Sequence, residues 1–208
     1  MRTCSMPVAA VSAALTLGLS APEAAVRRVR ADPPTRPLRV TLAPEFARVT
    51  EWVNSKPLTM ASLRGKVVVV HFWTNGCSNC INNYPHYRAW QERYAGKDVV
   101  ILGIHTPETP SEHNVERIKA QASRNGLKFP IAVDNDLANW KAWDNQIWPT
   151  VYVVDQRGVV RYGWEGELNY AGQKGEETVR RVIDTLLADG PGPRPTAARR
   201  GAGRGSRP

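Results

Sequence analysis

The chain has 208 residues, 42% of them hydrophobic, and a formal net charge of +9. That length holds one domain with a real core plus flanks, and it is too short for two ordinary domains. The charge excludes a basic nucleic-acid-binding domain, because residues 40–187 carry 17 Lys/Arg against 16 Asp/Glu and the excess lies at the two ends. Basic ends without aromatic residues attract polyanions only weakly and are screened by salt, so no specific nucleic-acid partner is expected.

Residues 1–25 read as a signal peptide or N-terminal anchor. Arg2 opens the segment, and Pro7 to Ala21 is apolar or small, with Val8, Val11, Leu15, Leu17 and Leu19. A stretch of about 14 residues suits a signal core and is short for a membrane span. Ser20, Ala21, Ala24 and Ala25 offer cleavage positions; an uncleaved anchor is the alternative. The expected location is therefore periplasmic or otherwise extracytoplasmic, with membrane contact only through such an anchor. Residues 26–43 are a Pro/Arg-rich linker. Residues 44–188 form the domain, and 189–208 a basic disordered tail.

Inside the domain, Val67 to Trp73 is a nearly continuous apolar, β-branched run, as in a strand buried on both faces. A helix follows from Ser78 to about Ala95, then a second buried strand over Val99–Ile104. Glu112–Arg124 reads as a helix ended by Asn125-Gly126. Ile131–Val133 is a short strand and Leu137–Trp143 a short helix. Thr150–Asp155 and Val159–Tyr162 flank Gln156-Arg157-Gly158 as a hairpin. Glu176–Leu187 closes the domain as an amphipathic helix. This order predicts an α/β fold, a three-layer α/β/α sandwich with a mixed sheet, parallel early and antiparallel late.

Three cysteines are present, and Cys4 falls in the targeting segment. Only Cys77 and Cys80 remain, so no long-range disulfide framework can form. Cys77 ends a strand-to-helix turn, where free N–H groups and the helix dipole favour a thiolate. Cys80 lies one helical turn on, placed to resolve a mixed disulfide. The spacing also fits half a zinc site or a plain structural disulfide. Zinc needs two more ligands, with His71 and His86 nearest in sequence, and no metal is expected. Trp73 offers a flat apolar wall beside the pair. Pro85 should kink the helix. Trp148-Pro149 precedes a strand; Pro149 is either a cis-proline facing the cysteines or an ordinary trans edge proline. His105 and Glu108 follow the end of the second strand, in a substrate-facing or a loop-stabilising position.

Ser62-Leu63-Arg64-Gly65-Lys66 followed by VVVVHFWTNGCSNC resembles the TlpA-like branch of the thioredoxin superfamily, and most closely the periplasmic thioredoxin domains of DipZ-like proteins. Phe72-Trp73-Thr74, Cys77-Ser78-Asn79-Cys80 and Tyr84-Pro85-His86 carry the likeness. Further matches are Gly103 to Glu108, Ala132 to Asp136 and Asn145 to Pro149, so it covers about residues 45–188. The resemblance implies a thioredoxin fold with Cys77 as nucleophile, Cys80 as resolving thiol and Pro149 in cis. Trp73, Ser78, Asn79, Trp148 and Pro149 are then the substrate-side residues. It implies protein thiols and disulfides as partners, electrons from a membrane thiol transporter if the chain is a reductant, and no cofactor beyond the Cys77–Cys80 disulfide. Two departures stand out. His71 replaces the buried acid of many thioredoxins, as a possible acid/base or as a packed residue. Ser78-Asn79 lacks the proline of reducing thioredoxins, so the direction of electron flow stays open.

The resulting expectation is a thiol–disulfide oxidoreductase. The alternatives are a thiol peroxidase, for which Thr74 is present but no matching arginine is evident, and a metal-binding or redox-inert module.

Overall fold

A computed structural model describes residues 41–190. The expected signal peptide, most of the linker and nearly all of the basic tail lie outside the described residues.

Six strands form one sheet: β1 Glu51–Val53, β2 Val67–Trp73, β3 Val99–His105, β4 Ile131–Val133, β5 Thr150–Val154 and β6 Val160–Glu165. Their order is β1-β4-β3-β2-β5-β6. β2 pairs in parallel with β3, and β3 with β4. β5 runs antiparallel to both β2 and β6, and β1 antiparallel to β4. The sheet is therefore mixed, as expected. All seven residues of β2 are buried, which is why its sequence shows no alternation: both of its faces are covered.

The helices are α1 Ser78–Arg93, α2 Val115–Arg124, α3 Ala138–Ala142 and α4 Gly175–Asp189. Val67, Val69 and Trp73 join a core with side chains of α1, α2 and α4. Val68, Val70 and Phe72 join a second core with Met60, Leu63 and Trp143. The sandwich is thus unequal. Three helices cover one face, and the short α3 with the coil before β2 covers the other.

Several boundaries differ from the sequence reading, β6 for one running to Glu165 rather than Tyr162, and one strand was not expected. The helix expected from Glu112 is split into a short 3-10 turn, Pro110–His113, and α2. Asn114 separates them in extended backbone, and its side chain accepts from Arg117 N–H at 3.0 Å, capping α2. Residues 41–43, read as linker, lie against the β5–β6 hairpin, with Ala43 N–H donating to Gly158 O at 2.8 Å. α4 runs through Asp189, one residue into the expected tail. β1 has only three residues, too few to show a period. The stop at Asn125-Gly126 is as expected. Gly126 takes φ +64, and Leu127 N–H closes the turn on Ala122 O at 2.9 Å. α1 continues across Pro85 as one helix.

Candidate active site

The topology brings three chain segments to one end of the sheet. β2 runs out at Trp73 beside His105 of β3, its partner in register. β5 enters antiparallel with Thr150 opposite Phe72, so Pro149 sits at that same end. The Trp148–Pro149 peptide bond is cis. The loop is tied to the segment just after β3 by the Trp148 indole N–H, which donates to Thr106 O at 3.1 Å. The ring of Trp148 also stacks on Trp140, centroids 4.0 Å apart. Pro149 O accepts from Gly166 N–H at 2.7 Å.

Cys77 is the N-cap of α1 and is joined to Cys80 by a disulfide, with their Cα atoms 5.2 Å apart. Cys80 N–H points at Cys77 Sγ, 3.2 Å away. That contact is the one a thiolate would use when the pair is reduced, because the first helical turn leaves its N–H groups without internal acceptors. Cys77 is half-buried and Cys80 fully buried, while Ser78 and Asn79 are exposed. One sulfur is therefore open to attack and the other is held beneath it. The exposed apolar side chains Ile81 and Ile147 follow Cys80 and precede Trp148 in sequence.

Trp73, expected on the substrate side, has no exposed surface. It packs edge-on to Tyr84 of α1 and to His105, at 5.7 and 4.9 Å between centroids. Its wall faces the inside of the domain, because β2 is covered by α1 at that point. Ser78, Asn79 and Trp148 keep accessible surface.

His71 is fully buried, stacked on Tyr87 at 4.0 Å and edge-on to Phe129 at 5.0 Å. Neither ring nitrogen has a hydrogen-bond partner. Burial alone lowers its pKa to about 3, so the ring is neutral at physiological pH.

His105 is also buried, and burial lowers its pKa to about 4. Unlike His71 it has work in the loop: its Nε2 accepts from Asn75 N–H at 3.3 Å. Of the two positions considered for it, the loop-stabilising one is observed. Glu108 is exposed, and only its backbone N–H joins the same network, donating to Glu112 Oε2 at 2.7 Å.

Glu112 was not singled out in the sequence, yet it reaches the loop that carries Cys77. Its Oε1 accepts from Gly76 N–H at 2.8 Å and its Oε2 from Thr109 N–H at 2.9 Å. Thr74 also hydrogen-bonds to this carboxylate. Burial pushes the carboxyl up, but the bonds from Glu108, Thr109, Thr74 and Gly76 outweigh it, and its pKa lies below the ordinary value. The signal that would have found it is Thr109-Pro110-Ser111-Glu112, a capping-box spacing ahead of an amphipathic run. Among the described residues, no three His, Cys, Asp or Glu side chains gather as a metal-ligand group.

A mixed sheet between helical layers, with a CxxC disulfide at the head of the helix leaving a central strand, defines a thioredoxin-like protein. Residues 41–163 match the AhpC/TSA family, and the chain belongs to it, in the TlpA-like branch of the thioredoxin superfamily. Protein DipZ of Mycobacterium bovis is 36% identical over 145 residues, which cover 68% of this chain and 21% of DipZ. The chain thus spans about a fifth of the length of that relative. Thiol-disulfide oxidoreductase YkuV of Bacillus subtilis is 25% identical over 146 residues, covering 70% of this chain and 94% of YkuV. The solution structure of a thioredoxin-like protein in the oxidized form superposes with a TM-score of 0.63 at 25% identity, covering 73% of this chain and 97% of that one. A thiol-disulfide isomerase from Corynebacterium glutamicum gives 0.60 at 26% identity, covering 70% and 97%.

Proposed function

We propose that the chain exchanges its Cys77–Cys80 dithiol or disulfide with protein thiols and disulfides outside the cytoplasm. The observation that carries this is the asymmetry of the pair: a half-exposed Cys77 at a helix N-cap, bonded to a fully buried Cys80. In the reducing direction the Cys77 thiolate attacks one sulfur of a substrate disulfide. That S–S bond breaks, a mixed disulfide forms, and the first substrate sulfur leaves as thiolate. Cys80 loses its proton and attacks Cys77 Sγ. The Cys77–Cys80 bond forms, the second substrate sulfur leaves, and two electrons have passed to the substrate. The oxidising direction is the same sequence reversed.

Exposed Ser78 and Asn79 follow the nucleophile and half-buried Trp148 borders the same end of the sheet, so these residues form the substrate face in this reading, with Pro149 buried behind them to shape the loop. His71 packs rather than relays protons, since charging it would place a cation in an apolar pocket. Export is supported by the N-terminal pattern of Arg2 and the apolar run after it. A membrane thiol transporter is the expected electron source if the chain is a reductant. The peroxidase alternative is weakened by Thr74, which is fully buried and turned to Glu112.

The test is exchange with insulin disulfides, using the purified chain reduced by dithiothreitol. Cys77→Ser should abolish turnover, and Cys80→Ser should accumulate mixed disulfides visible on non-reducing gels. Turnover that survives Cys77→Ser would end the proposal. Equilibration of the pair with glutathione then assigns the direction. A potential near that of thioredoxin marks a reductant and one near −120 mV an oxidant, on the order of a hundred millivolts apart.

A further inference from the structure

The three residues before Cys77 are held from one side. Asn75 N–H donates to His105 Nε2, and Gly76 N–H donates to Glu112 Oε1 at 2.8 Å. Thr74 is the third anchor, through its bond to Glu112. Glu112 is itself 6% exposed and clamped at the other oxygen by Glu108 and Thr109 N–H. The fit at Gly76 is close: a Cβ there would collide with Glu112 Oε1 and lie 3.3 Å from its Cδ. Glycine and glutamate at these positions therefore depend on each other. All four donors to the carboxylate are neutral, so they satisfy it without cancelling its charge.

We propose that Glu112 is the positioning residue of the redox loop: it holds Gly76 so that Cys77 stays at the head of α1, and its fixed negative charge opposes formation of the Cys77 thiolate. This rests on the thiol–disulfide reading above and adds a control on it. The helix N-terminus favours the thiolate. A carboxylate bonded to the residue before Cys77 works against it, so the thiol is reactive without being permanently ionised. The other titratable groups around the carboxylate are His105 and His113, with Glu108 and Arg117 lining the adjoining surface pocket.

Two substitutions separate position from charge in the full chain. Glu112→Gln keeps an oxygen acceptor for Gly76 and removes the charge; Glu112→Ala removes both. The Cys77 pKa is read from the pH dependence of iodoacetamide alkylation of the reduced protein, with the labelled residue identified by mass spectrometry. Glu112→Gln should lower that pKa by on the order of one unit. Glu112→Ala should slow insulin reduction by roughly tenfold at equal thiolate fraction, with Gln recovering most of that loss. If Ala fails to fold, Gly76→Ala displaces the carboxylate from the loop side and should show the same slowing. Unchanged pKa and rate in these variants overturns the inference, as does equal slowing by Ala and Gln with no pKa change. Alkylation needs no protein substrate, so the two claims fail separately. A wild-type pair that never cycles sinks the proposed function, and a cycling pair indifferent to Glu112 sinks only this one.

Discussion

His71 and His105 sit on neighbouring strands beneath the active site, and burial keeps both neutral. Their surroundings differ. His71 meets rings and the bare backbone of Gly103, with no partner for either nitrogen. His105 meets a polar network that runs through Asn75 and Thr74 to Glu112. The contrast divides the base of the site into a dry side that fills space and a bonded side that fixes the loop. The dry side tolerates apolar replacement, and the bonded side does not, because an unpaired buried polar group costs more than a made bond returns.

Acid reaches both sides and should give the largest effect. Each histidine has a folded-state pKa below its unfolded value of 6.5, at about 3 for His71 and about 4 for His105. Below pH 6.5 the unfolded chain takes up protons that the fold refuses, so stability falls as pH falls; above 6.5 these groups contribute no slope. At about 1.4 kcal/mol per unit, going from pH 7.5 to pH 5 should cost about 2 kcal/mol per histidine, or about 4 together. Urea unfolding at the two pH values measures this. His71→Leu should remove about half of the loss while leaving stability at pH 7.5 equal or higher, since it deletes two unbonded nitrogens. An undiminished acid slope in that variant would mean His71 is charged in the fold, contrary to the dry-side description.

The sequence revealed the frame and the reacting atoms more readily than the bonded side. β2 was legible because Val67 to Val70 is β-branched and apolar on both faces. Cys77 and Cys80 were legible because only two cysteines remain outside the targeting segment. Pro149 drew notice through Trp148-Pro149 ahead of a strand, although only the family resemblance pointed to its cis isomer. Glu112 stayed hidden because its role depends on how the loop after β3 folds back, and it lies 36 positions along the chain from Gly76. Trp73 was placed on the substrate side because proximity in sequence to Cys77 does not tell which way a strand residue faces. β1 was missed for want of length.

A second way to break the comparison is to crowd the dry side. An added Cβ at Gly103 would lie 2.9 Å from Trp73 Nε1 and 3.1 Å from His71 Cε1. Gly103→Ala should therefore destabilise by about 2 kcal/mol through overpacking, read as a lower urea midpoint with an unchanged slope. The combination with His71→Ala should recover part of the loss, because the two sites share one space.

The smallest expected effect lies on the bonded side and sharpens the contrast most directly. Thr74→Val keeps the shape of a fully buried side chain and removes one of four donors to Glu112. Three backbone donors remain, so the carboxylate stays anchored and the expected loss is about 1 kcal/mol in urea unfolding at pH 7.5. The sign should be opposite to or clearly apart from that of His71→Leu, although both changes replace a buried polar side chain with an apolar one of similar size. A polar side chain is worth keeping in this core only where a fixed partner faces it. If Thr74→Val stabilises the chain as His71→Leu is expected to, the carboxylate does not need its hydroxyl donor, and the bonded side rests on its backbone donors and the His105–Asn75 bond.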